Sequence, residues 1–114
     1  MEELVAKAQK GDKEAFTEIV ILLKEDLYKI AKTRITNEAD IEDAIQETMI
    51  EAYKSIKKLK DKKKIKQWLI TILINKWNRI YRRKYKKDIS IDEYNLEKYM
   101  VINQFKNIEN DLNF

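Results

Sequence analysis

The sequence predicts an all-α fold, a compact bundle of three to four helices with a C-terminal linker, on three observations. Apolar residues recur at steps of three and four along most of the chain, which keeps one side of a helix turned inward. The 114 residues contain no proline and a single glycine, so little interrupts a helix. The length suits one hydrophobic core, since single domains usually hold roughly 100 to 200 residues.

Each element follows from the residues in order. A short first helix uses Leu4, Val5 and Ala8 and ends at Lys10-Gly11, where Gly11 can take the left-handed conformation and Asp12 can cap the next helix. The second helix runs from about Lys13 to Arg34, with Phe16, Ile19, Val20, Leu23, Leu27, Ile30 and Ala31 as its inward stripe; Val20 to Leu23 is locally apolar all round. Thr36-Asn37 is the next break, Asn37 being an N-cap with acids placed in the first turn behind it. The third helix spans roughly Glu38 to Leu59 and turns Ile41, Ala44, Ile45, Thr48, Met49, Ala52, Ile56 and Leu59 inward. That leaves Glu42, Asp43, Gln46, Glu47 and Glu51 outside. From Lys57 to Lys66 the apolar period fades and a basic loop is expected. The fourth helix begins near Ile65 and reaches about Lys86, with Trp68, Leu69, Ile72, Leu73 and Ile80 as its stripe. Residues 88–114 lose the regular period and read as a linker or a loosely docked helix. The domain itself is residues 1–87.

Composition narrows the function. The absence of cysteine and histidine excludes disulfide scaffolds, thiolate metal sites and cysteine nucleophiles. It also removes the usual general base and the commonest zinc ligand. The chain is therefore expected to be no enzyme and to need no cofactor. Its 39% charged and 44% hydrophobic content provides a small core but no membrane span. Met1-Glu2-Glu3 has no basic signal-peptide start, and a cytoplasmic location is expected.

The net charge of +4 is sharply segregated. Glu38 to Glu51 holds six acids and no base, whereas Lys54 to Lys87 holds fifteen bases and one acid. So dense a cationic block is the footprint expected of a nucleic-acid site, although a solvated lysine-rich surface has the same composition. Asp43, Glu47 and Glu51 stack at four-residue steps and repel one another by a few tenths of a kcal/mol per pair. A basic partner is expected opposite them, either a protein presenting arginines or lysines of the chain's own basic loop. A carboxylate-bridged metal pair would want a histidine three residues after a glutamate, and there is none. In the fourth helix Trp68, Trp77, Tyr81 and Tyr85 interleave with bases, a pattern suited to stacking on single-stranded nucleic acid. Trp68 lies on the apolar stripe and reads as core rather than as a stacking platform. Asn75 carries donors and an acceptor that can read a base edge or simply face solvent.

Lys10-Gly11-Asp12 with Ala15-Phe16, Asp40-Ile41-Glu42-Asp43-Ala44-Ile45-Gln46-Glu47-Thr48, Ala52-Tyr53, and Trp68-Leu69 with Asn75 seven positions later form an ordered set. With it, residues 3–87 resemble region 2 of bacterial RNA polymerase sigma factors of the extracytoplasmic-function group. The resemblance implies that Asp43, Gln46 and Glu47 contact the β′ clamp helices of core RNA polymerase. It implies that Lys62, Lys63, Lys64 and Ile65 line a pocket for a flipped base of the non-template strand of the promoter minus-ten element. Lys66 and Trp68 belong to the same DNA-binding surface, Asn75 would hold the base, and Arg79, Arg82 and Arg83 would hold phosphates. An inhibitory anti-sigma protein is a further partner of such domains. The loop departs from the family pattern in its lysines and in Ile65, where an aromatic is common, and no second helix-turn-helix domain follows the acidic linker. A helical nucleic-acid-binding module without a polymerase role is the alternative.

Overall fold

The computed structural model describes residues 1–85, which form four α-helices: α1 Glu2–Gln9, α2 Lys13–Lys32, α3 Glu38–Ser55 and α4 Ile65–Tyr85. Two single 3₁₀ turns, Ile56–Lys58 and Lys62–Lys64, lie between α3 and α4. The expected linker at 88–114 lies outside the described residues, as do Lys86 and Lys87.

Local chemistry sets the helix ends. At the end of α1 the Gly11 amide donates to the Ala8 carbonyl at 3.0 Å and the Asp12 amide to the Lys7 carbonyl at 3.1 Å, a Schellman closure. It requires Gly11 at φ +100°, a conformation open to glycine and strained for other residues. The Asp12 carboxylate then accepts from the amides of Glu14 and Ala15 at 3.0 and 3.1 Å, starting α2. Asn37 does the same for α3, accepting from Ala39 and Asp40 at 2.9 and 3.3 Å. The second helix closes at Lys32, two residues short of expectation, in a tightened turn where the Thr33 and Arg34 amides donate to the Ile30 and Ala31 carbonyls at 3.1 and 3.0 Å, and Ile35 just beyond is buried.

The expected third helix ends early as well. After Ser55 the lysine run has little to bury, and the Gln9 side-chain amide donates to the carbonyls of Ile56 and Leu59 at 2.9 and 2.8 Å. These bonds satisfy carbonyls that would otherwise be orphaned at a helix end. Ile56 and Leu59 still reach the core. In the expected loop, Asp61 accepts from the Lys63 amide at 3.1 Å and shapes the turn that leads into α4.

α4 is wedged against both α2 and α3, so it buries more than one stripe. Ile65, Ile70 and Ile74 join Leu69, Leu73 and Ile80 in the core, whereas Trp68 and Ile72 pack half-buried against it. Three lysines of α4 tie it down: Lys66 to Asp26 of α2 at 2.8 Å, Lys76 to Glu51 of α3 at 3.5 Å, and Lys84 to Asp40 of α3 at 2.7 Å. Within α2, Ile21 and Leu22 face outward. No helix of the described residues is long and apolar enough to cross a membrane.

Candidate functional site

Two surfaces gather the candidate residues. The first is the outer side of α3. Glu42, Asp43 and Gln46 are exposed and Glu47 is half-buried, while Ile41, Ala44, Ile45 and Thr48 on the other side fill the core. Among the described residues no cation lies within ion-pair distance of Glu42 or Glu47. Beside Gln46 a groove of about 580 Å³ runs between α2 and α3, with Val20, Ile45 and Met49 as its apolar lining and Lys24, Glu42 and Gln46 among its polar residues. Tyr28, also on this groove, donates its hydroxyl to Glu38, and the bond to that carboxylate pushes the phenol pKa up. The surface thus offers separate carboxylates beside an apolar trough.

The expectation that the basic loop neutralises this acidic face is not what the structure shows. The internal partners come from α4: Lys84 reaches Asp40 and, at 3.8 Å, Asp43, and Lys76 reaches Glu51. Glu51 also accepts from the Ser55 hydroxyl at 2.5 Å, and that bond, reinforced by Lys76, holds its carboxyl below the usual range. Asp43 keeps 56% of its side chain exposed.

The second surface runs along α4 from the lysine turn. At about 100° per residue, Trp68, Asn75, Arg79 and Arg82 fall close to one line, because steps of seven, four and three residues nearly complete whole turns. That line lies away from Leu69, Leu73 and Ile80, which face the core. Asn75, Arg79 and Arg83 are exposed and Arg82 is half-buried; Lys62, Lys63 and Lys64 are exposed at the helix start. From Lys64 to Arg83 the line extends about 28 Å at 1.5 Å per residue. Among the described residues no acid lies within ion-pair distance of Lys62, Lys63, Lys64, Arg79 or Arg83. Lys62 and Lys63 do share an open pocket of about 500 Å³ with Glu2 and Glu3 of α1.

Two residues expected on this surface are placed otherwise. Ile65 is 3% exposed and belongs to the core, so its side chain does not line a solvent-facing pocket; it is the first apolar residue after the lysines and is drawn inward where α4 begins. Lys66 is held by Asp26 at 2.8 Å, which removes it from the unpaired cations. Trp68 is half-buried against the core, leaving part of its ring accessible.

Sequence reasoning missed Asp40. It is 2% exposed, and its carboxylate accepts from the Lys84 ammonium at 2.7 Å and the Tyr85 hydroxyl at 2.5 Å. These bonds, Lys84 first, hold its carboxyl below the usual aspartate range and push both partners' pKa values up. The only signal in the sequence is its place in the first turn of α3, which reads as helix-dipole complementation. Trp77, Tyr81 and Tyr85 follow one another along α4 as tilted ring pairs with centroids 5.5 and 5.7 Å apart, beside a cleft of about 310 Å³ that Arg34 and Asn37 also line. No group of histidine, cysteine and carboxylate side chains among the described residues could hold a metal ion.

The family model for Sigma-70 region 2 matches residues 19–87. The chain is 32% identical over 71 residues to the ECF RNA polymerase sigma factor SigW of Bacillus subtilis (strain 168), a match covering 62% of the chain and 38% of that protein. It is 35% identical over 72 residues to the ECF RNA polymerase sigma-E factor of Haemophilus influenzae, covering 63% and 38% respectively. The sigma-E factor of Escherichia coli (strain K12) is 29% identical over 72 residues, 63% of the chain and 37% of that protein. The match thus spans little more than a third of the length of these relatives. No solved structure matches.

Proposed function

The chain belongs to the Sigma-70 region 2 family, and on that premise we propose that it binds core RNA polymerase through α3 and the melted minus-ten element of promoter DNA through the lysine turn and α4. The observation that carries the reading is the separation of two unlike surfaces on adjacent helices, one acidic beside an apolar trough, the other a row of lysines and arginines. Asp43, Gln46 and Glu47 meet basic side chains of the polymerase β′ clamp helices, where opposite charge steers the encounter. Lys62, Lys63, Lys64, Arg79, Arg82 and Arg83 neutralise phosphates of the non-template strand, which supplies most of the affinity. Asn75 meets an unstacked base, and the exposed part of Trp68 offers a stacking surface beside it. The chain performs no chemistry; it positions DNA for the polymerase, in the cytoplasm, and an anti-sigma protein would act by covering the α2–α3 groove.

The ion pairs of Lys76 and Lys84 with α3 favour a second reading, a nucleic-acid-binding module whose acidic helix balances its own cations. One experiment separates the two. Asp43→Ala and Glu47→Ala should abolish capture by core polymerase while leaving binding of single-stranded DNA intact; the second reading requires no polymerase capture in any variant.

A further inference from the structure

One carboxylate holds the last described turn of α4 against α3. Asp40 accepts from Lys84 and Tyr85 at 2.7 and 2.5 Å, contacts that span 44 and 45 residues of sequence. Ile80 is the last core residue in the described part of α4; Tyr81 makes a tilted ring contact with Trp77 of the same helix, and Arg83, Lys84 and Tyr85 are exposed. Beyond Ile80, then, little apolar burial holds the helix in place, and helix ends without such anchorage fray. Arg82 and Arg83 lie in that stretch. Lys84 is nine residues from Asn75, about 180° round the helix, whereas Arg82 is seven residues on and nearly in line with it. The inward donor Lys84 and the exposed Arg83 therefore share one turn.

We propose that Asp40 is a positioning residue for nucleic-acid binding: by gripping Lys84 and Tyr85 from the start of α3, it fixes the last described turn of α4 and the direction in which Arg83 meets phosphate. Asp40 does not touch the DNA. The inference rests on the reading of α4 as the nucleic-acid surface given above.

Removing Asp40 alone would free the Lys84 charge, so the test uses the charge-balanced double variant Asp40→Asn with Lys84→Met in the full 114-residue chain. Binding of a labelled mixed-sequence single-stranded oligonucleotide is measured with and without Arg83→Ala. In the native background Arg83→Ala should weaken binding about fourfold at physiological salt, the counterion-release value of one single-strand phosphate contact. In the double variant Arg83→Ala should have no further effect, because the contact is already lost. Lys84→Arg, which keeps the grip, should restore the fourfold dependence on Arg83. A fourfold cost of Arg83→Ala in both backgrounds overturns the proposal, and a merely stabilising role for Asp40 would give that result. If thermal unfolding shows the double variant unfolded, Tyr85→Phe removes one exposed donor instead; the cost of Arg83→Ala should then shrink, and an unchanged cost again overturns the proposal. Absence of oligonucleotide binding by the native chain would overturn the parent reading of α4, a result distinct from either of these.

Discussion

Neutralising Lys62, Lys63 and Lys64 together, each to glutamine, tests how the structure divides its cations. Among the described residues five exposed cations without an acidic partner lie on the proposed DNA surface, these three lysines, Arg79 and Arg83, and the half-buried Arg82 is the sixth proposed phosphate contact. Each phosphate neutralised on a single strand contributes about 0.7 to the slope of log affinity against log salt. With six phosphate contacts the native chain should therefore show a slope near −4.2 and lose about 340-fold in affinity between roughly 50 and 200 mM salt. The triple variant retains three such contacts, a slope near −2.1 and a loss of about 18-fold over the same range. Fluorescence anisotropy of a labelled single-stranded oligonucleotide reads both slopes. Lys76→Met is the control: its ammonium is committed to Glu51 at 3.5 Å and should leave the slope unchanged. A Lys76→Met variant that lowers the slope as much as one loop lysine would refute the division into tethering lysines and DNA-facing cations.

Other outcomes follow from single contacts. The Asp40 carboxyl is depressed below its ordinary value of 3.8, first by Lys84 and then by Tyr85. Its stabilising contribution is thus complete above that value and lost as pH falls through the lower folded value. Thermal midpoints should drop more steeply below about pH 4 for the native chain than for Asp40→Asn, and equal slopes would contradict the assignment. Gln9→Ala removes both bonds to the Ile56 and Leu59 carbonyls, and should cost about 1 to 3 kcal/mol in chemical denaturation while raising amide exchange in the lysine turn. Leu69→Ala in the centre of the core should cost about 2 to 5 kcal/mol. Asn75→Ala should reduce discrimination among oligonucleotide sequences with little change in salt slope; equal weakening on every sequence would rule out base reading.

The fold was legible where its chemistry is local. The closure at Gly11, the caps at Asp12 and Asn37, and the inward face of α3 each depend on residues within a turn or two, so spacing and residue type suffice. The same holds for the outward polar residues Asp43 and Gln46. What escaped was set by distant partners. Ile70 and Ile74 are buried because α4 lies against α2 as well as α3, a wider contact than one stripe implies. Lys66 and Lys84 look like their neighbours in sequence, yet their partners Asp26 and Asp40 are supplied by other helices. Asp40 reads as an ordinary first-turn acid until the end of α4 is folded onto it.

The central claim is that α3 docks on polymerase, and it is tested most directly by binding of the chain to core RNA polymerase or a β′ clamp-helix fragment at physiological salt. The account predicts tight binding by the native chain that is lost in Gln46→Ala and Glu47→Ala, with unchanged thermal midpoints and unchanged binding to single-stranded DNA. No binding by a folded native chain that still holds single-stranded DNA would contradict it.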